Sequence, residues 1–358
     1  MSWKKWIVAL STVVFTTSFA PASAGDCYEC DTGSDCGFSL CDCDPCEGWS
    51  VYADYLYWRV RRCDLDYAFG YESGIDGRAD RKYSVNPSYD SGFRIGVLKA
   101  CDDLDFGVHY TWFQNCNDDS VDVSSNGVLL GQVLLNPDAP FATAPYQLAA
   151  SNYKFELNQL DVELGYHLEV SDCLAARLFT GFRYANFKQK RTTAYSTDAA
   201  DQFAETNTAA QVDVVHQKLD TDFYGLYLGN KASYSVSDCF DFFGGFSLGI
   251  GVGEFTSAYD HYGKPTGGVA DFTDGDYLDC SCWKSVGVFD FNLGITFPLC
   301  NVCCTDWAFS VGYEFHHWWN FGSFLDFDHE PGTDSAVISS HCCDLGYDGL
   351  FIRLSAAF

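Results

Sequence analysis

Alternation with a period of two runs through most of the chain after residue 48. That spacing places successive side chains on opposite faces of a strand. In 159–170, Leu160, Val162, Leu164, Tyr166, Leu168 and Val170 share one face, and Gln159, Asp161, Glu163, Gly165, His167 and Glu169 share the other. A strand in a soluble sandwich holds such a pattern for about five or six residues. Here it holds for twelve, and a tilted membrane strand needs about 9–11. The same period organises 104–113, 240–252 and 307–316, with aromatic or aliphatic residues on one face and mostly small, polar or charged ones on the other. Lipid outside and water inside require that division.

The pattern predicts ten strands, at about 49–61, 91–100, 104–113, 156–170, 174–188, 220–234, 239–254, 285–297, 306–319 and 346–358. Their connections alternate between short (101–103, 171–173, 235–238, 298–305) and long (62–90, 114–155, 189–219, 255–284, 320–345). Short periplasmic turns and long outer loops describe an all-β fold, a transmembrane antiparallel up-and-down β-barrel. Twelve strands is the alternative, because the long loops have room for another hairpin. An even number places both ends of the barrel in the periplasm. The final strand carries Leu350, Ile352, Leu354, Ala356 and Phe358 on one face. Its terminal Phe resembles the signal read by the barrel assembly machinery, an expected partner.

Residues 1–24 differ in kind. Lys4 and Lys5 precede an apolar run from Trp6 to Phe15, and Ala22-Ser23-Ala24 closes the segment. This describes a secretory signal peptide; a spanning helix would need about 20 apolar residues. The expected organisation is a signal peptide at 1–24, a cysteine-rich acidic periplasmic segment at 25–48, and a barrel at 49–358 in the lipid of the cell outer membrane.

Composition narrows the function. The chain has 358 residues, 49 of them Asp or Glu and 21 Lys or Arg, for a formal net charge of −28. A nucleic-acid partner needs a basic face and is not expected. Eighteen cysteines exclude an ordinary cytosolic enzyme. No phosphate loop, dinucleotide fingerprint or nucleophile–base pairing emerges, so neither enzymatic activity nor a cofactor is expected.

The cysteines divide by topology. Cys27, Cys30, Cys36, Cys41, Cys43 and Cys46 lie in the acidic segment, and Cys101, Cys173, Cys239, Cys300, Cys303 and Cys304 at the short turns. Cys63, Cys116, Cys280, Cys282, Cys342 and Cys343 lie in the long loops, and none falls in the middle of an expected strand. Three readings compete. The spacings Cys27-x-x-Cys30, Cys43-x-x-Cys46 and Cys300-x-x-Cys303 resemble zinc ligands, but oxidation competes for thiols in an exported chain, and no metal is assigned. Internal disulfides account for loop cysteines. For the twelve periplasmic positions, cross-linking to other copies or to periplasmic cysteine-rich proteins is the third reading. Spacing does not choose among pairings.

Opposite the apolar faces lie the candidate pore-lining residues: Asp54, Arg94, Asp105, Asp161, Glu163, Glu169, Arg177, Arg183, Asp241, Asp290, Glu314 and Arg353. Charges of opposite sign across a pore set a transverse field and a constriction. Alternatively, they pair and fill a narrow barrel, since eight strands leave interior for side chains alone. His109, His167 and His316 share that side, whereas Trp318 and Trp319 read with His316-His317 as an interfacial aromatic girdle.

Gly48-Trp49-Ser50-Val51-Tyr52-Ala53-Asp54-Tyr55-Leu56-Tyr57-Trp58-Arg59, with Asp90-Ser91-Gly92-Phe93-Arg94-Ile95-Gly96-Val97, resembles the opening strands of the major outer membrane protein family of Legionella and Chlamydia-like bacteria. The resemblance implies a cysteine-rich, pore-forming barrel that is disulfide-linked into the envelope. Two functions follow as expectations. One is passive diffusion of small solutes or ions, joined to a structural role. The alternative is a non-conducting structural or adhesive barrel.

Overall fold

The computed structural model describes residues 48–72, 81–101, 103–123, 127–131, 146–197, 212–237, 239–264, 273–299, 305–329, 336–339 and 343–358. Residues 1–47, where the signal peptide and most of the acidic segment are expected, and with them Cys27, Cys30, Cys36, Cys41, Cys43 and Cys46, lie outside the described residues, as do Cys300, Cys303, Cys304 and Cys342.

The strands are β1 (Trp49–Arg62), β2 (Asp66–Glu72), β3 (Arg81–Ser84), β4 (Asp90–Cys101), β5 (Leu104–Asp122), β6 (Gly127–Gly131), β7 (Leu148–Ser171), β8 (Leu174–Ser196), β9 (Val212–Ser237), β10 (Phe240–Lys264), β11 (Thr273–Pro298), β12 (Asp306–Trp319), β13 (Asp326–His329), β14 (Ala336–Ser339) and β15 (Leu345–Ala357). Ten of them close a ring in the order β1-β15-β12-β11-β10-β9-β8-β7-β5-β4. Every neighbour is antiparallel, and the first and last strands pair from Ser50↔Ala357 to Arg62↔Leu345. The long loops do hold further strands, as the twelve-strand alternative supposed, but these stay outside the ring, which has ten: β2 pairs with β3 and β6, and β13 pairs with β14.

Six strands run well past their expected length, mostly at the outer end, with β5 reaching Asp122. β7, β8, β9, β10 and β11 have 24, 23, 26, 25 and 26 residues. At about 3.3 Å per residue and a tilt of about 45°, such strands rise roughly 60 Å, more than twice the ~25 Å apolar band of an outer-membrane barrel. Cys116, Cys280 and Cys282, expected in loops, therefore lie within β5 and β11.

Which face is apolar changes along each tall strand. In β7, Leu160, Leu164, Tyr166 and Leu168 are exposed to the outside, whereas Tyr153, Phe155 and Leu157, of opposite parity, are fully buried inside. In β9, Tyr224, Leu226 and Leu228 are exposed, and Val215, Leu219 and Phe223 are buried. Residues facing lipid must be apolar; above the bilayer the outer face meets water, and the hydrophobic effect favours the interior instead. The switch marks the height at which each strand leaves the membrane.

Candidate functional site: a charged chamber beneath an aromatic collar

Inside the membrane-spanning half lies a chamber of about 330 Å³. Ala175, Ser233, Thr296 and Ser310, each a few residues from a short turn or strand end, line its lower part. Charged side chains on facing walls bond across it. Arg94 on β4 donates to Asp54 on β1 at 3.1 Å and to Glu314 on β12 at 3.0 Å. Arg353 on β15 donates to both oxygens of Asp54, at 2.7 and 2.8 Å, and stacks on Tyr52 with 3.9 Å to the ring centre. Arg177 grips Asp105 with two hydrogen bonds, of 2.6 and 2.5 Å, and donates to Glu163 at 2.9 Å. Arg183 joins Asp161 to Asp290. Planar guanidinium forks suit this bidentate pairing. Leaving a charge unpaired in such surroundings costs several kcal/mol.

Histidines complete the network. Tyr52 OH and His109 Nδ1 share a 2.7 Å hydrogen bond, and His109 Nε2 lies 3.3 Å from Glu163. His316 Nδ1 bonds to Asp290 at 2.7 Å, and Ser247 donates to the other oxygen of Asp290. Two glycines make room for these contacts. A Cβ at Gly165 would sit 2.4 Å from Arg177 Nε and 2.5 Å from Asp105 Oδ2; one at Gly96 would sit 2.6 Å from His109 Nδ1.

Above the chamber a collar closes the bore among the described residues. Inward-facing Trp58, Phe113, Phe155, Phe187, Phe223, Phe255, Trp318 and Tyr347, from eight of the ten strands, are at most 2% exposed. Phe187 meets Trp318 and Phe321 edge to face, with ring centres 4.9 and 4.7 Å apart. The segment after β12 turns inward at Asn320 (φ 58°) and Gly322 (φ 93°), conformations that Asn and Gly adopt most readily. It inserts Phe321, Phe324 and Leu325. Arg62 donates to the Gly322 carbonyl, Gln217 donates to that of Leu325, and the Phe324 amide donates to Asp64.

The twelve candidate pore residues thus take three positions. Arg94, Asp161, Glu163, Arg177, Arg183, Asp290, Glu314 and Arg353 line the chamber, and Asp54 and Asp105 are buried behind it as partners of arginines. Glu169 is exposed and Asp241 half-buried; neither joins the lining. His167 is half-exposed, with Nε2 2.6 Å from Asp105. The expected girdle holds for only half of its members: His317 points to the outside, stacked on Phe315 and edge-on to the exposed Trp319, whereas Trp318 and His316, of opposite parity, are buried inside the barrel. Tyr52, Tyr227 and Lys231 also line the chamber; the two tyrosines were not among the candidates, and their signal is lumen-side parity, two residues from Asp54 and four from Lys231. The expected absence of a nucleophile motif is wrong at one place: Gly245-Phe246-Ser247-Leu248-Gly249 has the Gly-x-Ser-x-Gly spelling of a nucleophile elbow. The segment runs within β10, with no strand-to-helix turn, and Ser247 bonds to Asp290 rather than to His316. A working elbow needs the turn and a base on the serine.

Cys63 and Cys343 form a disulfide across the β1–β15 seam, with Cα atoms 6.2 Å apart, so the internal reading holds for this loop pair. Cys173 is also disulfide-bonded. Cys101, Cys116, Cys280 and Cys282 are exposed thiols, and Cys239 is exposed at its turn. Among the described residues, no group of three His, Cys, Asp or Glu side chains is arranged to hold a metal ion.

The family model described as Legionella pneumophila major outer membrane protein precursor matches residues 43–358. The chain belongs to this family, and its place is the outer membrane. No curated protein matches it. Among solved structures, the outer membrane protease OmpT from Escherichia coli aligns over 86% of this chain and 95% of its own, at 8% identity and a TM-score of 0.43. The toluene transporter TodX of P. putida aligns over 87% of this chain and 90% of its own, at 8% identity and a TM-score of 0.25. Ail, the attachment invasion locus protein of Yersinia pestis, aligns over 87% and 99%, at 10% identity and a TM-score of 0.21.

Proposed function

We propose that this family member is a porin-like barrel for small ions and solutes, closed toward the outside in the conformation described, and a disulfide-linked component of the cell envelope. The charged chamber carries this reading. A barrel that only anchored loops could fill its membrane-spanning half with apolar side chains, yet this one keeps about 330 Å³ of space lined by Arg94, Arg177, Arg183, Arg353, Asp161, Glu163, Asp290 and Glu314. Acids and bases on facing walls are the arrangement that sets a field across a permeation path. Conduction requires the segment carrying Phe321 and Phe324 to withdraw and the strand-borne rings to part.

The collar supports the second reading, a non-conducting structural barrel, because strand residues rather than loop residues supply most of its rings. Planar-bilayer conductance separates the two. Channels from the purified wild-type barrel, altered in size by Arg94→Gln, support the porin. A silent wild type, alongside conductance from a Phe187→Ala/Phe321→Ala variant, assigns the structural role alone.

A further inference from the structure

The outer wall carries a charge arrangement that neither the pore nor the cysteines explain. On the outward face of the tall strands, Lys154 of β7 stands opposite Lys190 of β8, and Lys190 stands opposite Lys218 of β9. The row below it reads Glu156, Lys188 and Asp220. Like charges directly opposite on neighbouring strands destabilise a sheet, and this chain has only 21 Lys and Arg residues against 49 acids. Lys218 is paired with Asp220 at 2.5 Å. Among the described residues, Lys154, Lys188 and Lys190 have no carboxylate within salt-bridge distance. Glu156 is instead engaged by Asn158, at 3.4 Å.

Height identifies the counter-charge. Immediately below these rows an aromatic girdle ends the apolar band: Tyr184 and Tyr224 pack with ring centres 5.2 Å apart. Tyr184 OH and Asn186 Nδ2 donate to Asp222, and Tyr110 OH donates to Asn158, fixing the water side of the girdle. Lys188 and Lys190 follow Tyr184 by about four and six residues, roughly 10 and 15 Å higher on a strand tilted by about 40°. Lysine side chains bend their ammonium ends toward favourable surroundings while their stems cover the wall. A sugar-based headgroup bearing phosphates stands taller than a phospholipid headgroup and reaches this height.

We propose that Lys154, Lys188, Lys190 and Lys218 form a binding site for the phosphate groups of an outer-leaflet glycolipid. Phosphate supplies several acceptor oxygens and offsets the mutual repulsion of the lysines. Glu156 and Asp220 beside them, and Asp222 one row lower, reduce the local excess of positive charge without cancelling it. The site stands on the outside of the cylinder and does not depend on whether the bore conducts.

Native mass spectrometry of the mature barrel in detergent tests this, with diphosphoryl lipid A, its dephosphorylated form and inorganic phosphate as probes. Wild type should retain diphosphoryl lipid A at least tenfold better than the dephosphorylated form. Lys154→Gln/Lys188→Gln/Lys190→Gln should lose that margin, whereas Lys→Arg at the same positions and Lys82→Gln, on the distant β3, should keep it. Heat-dependent gel mobility verifies that each variant is folded. Equal retention of both lipids, or a Gln triple variant within twofold of wild type, overturns the proposal. Displacement of the lipid by millimolar inorganic phosphate also overturns it and assigns the lysines to free phosphate.

Discussion

Arg183 and Asp290 meet inside the barrel at 2.9 Å, although β9 and β10 separate their strands in the ring. The same guanidinium holds Asp161 on the neighbouring β7. One side chain therefore braces a curved wall of five strands. Arg183→Met should destabilise the barrel by about 3–5 kcal/mol, because it leaves two buried carboxylates without their cation. Adding Asp161→Asn and Asp290→Asn should recover part of the loss. Urea unfolding in lipid vesicles measures both.

The collar predicts a packing effect of similar size. Phe187→Ala removes a fully buried ring that meets Trp318 and Phe321 edge to face, at a cost of about 3–5 kcal/mol. Phe182→Ala, on the lipid face of the same strand, should cost less, since lipid chains fill the space left behind. The unfolding midpoints of the two variants, compared directly, check this.

Asp64 makes the outer end sensitive to acid. Burial alone would raise its carboxyl, but Arg62, Arg191 and the Phe324 amide together hold it below the ordinary carboxylate range. A depressed folded-state value means that the stabilisation is fully present above the unfolded-state value of about 3.9 and is lost as pH falls through the lower folded-state value. Asp64→Asn should cost about 1–3 kcal/mol at pH 7, and the difference from wild type should shrink as the pH falls below the unfolded-state value. Unfolding measured across that acid range decides it.

Thiol topology is directly measurable. A membrane-impermeant maleimide added to intact cells should label Cys116, Cys280 and Cys282, which are exposed beyond the outer girdle, and should spare Cys101 at a periplasmic turn. Cys63 and Cys343 should label only after reduction. Peptide mapping of the modified sites reads the result, and labelling of Cys101 in unbroken cells would reverse the assigned orientation.

The ten-strand ring was legible because lipid imposes one rule on every second residue, and Leu160, Val162 and Leu164 obey it openly. The tall outer ends were not. Beyond Asn158 the outer face becomes Glu156 and Lys154, and the lipid-facing signature stops although the strand continues. A second signal was present in the sequence: the apolar parity of β7 changes between Leu157 and Leu160, and the inward phenylalanines begin there. The lumen charges were readable by parity alone. That Glu169 and Asp241 fall short of the chamber was not, because position along the bore depends on where each turn lies. The pairing of Arg94 with Glu314 was also hidden, since ring closure brings together strands far apart in sequence.

The reversal of parity splits the cylinder into two storeys built by opposite conventions, joined along unbroken backbone. The lower storey turns its grease to the membrane; the upper turns it inward, like a water-soluble protein. Substitutions in the upper storey should therefore be judged by the standards of a globular core, and an upper storey from another barrel could be grafted at the level of Leu157 and Phe187 without rewriting the part that meets lipid.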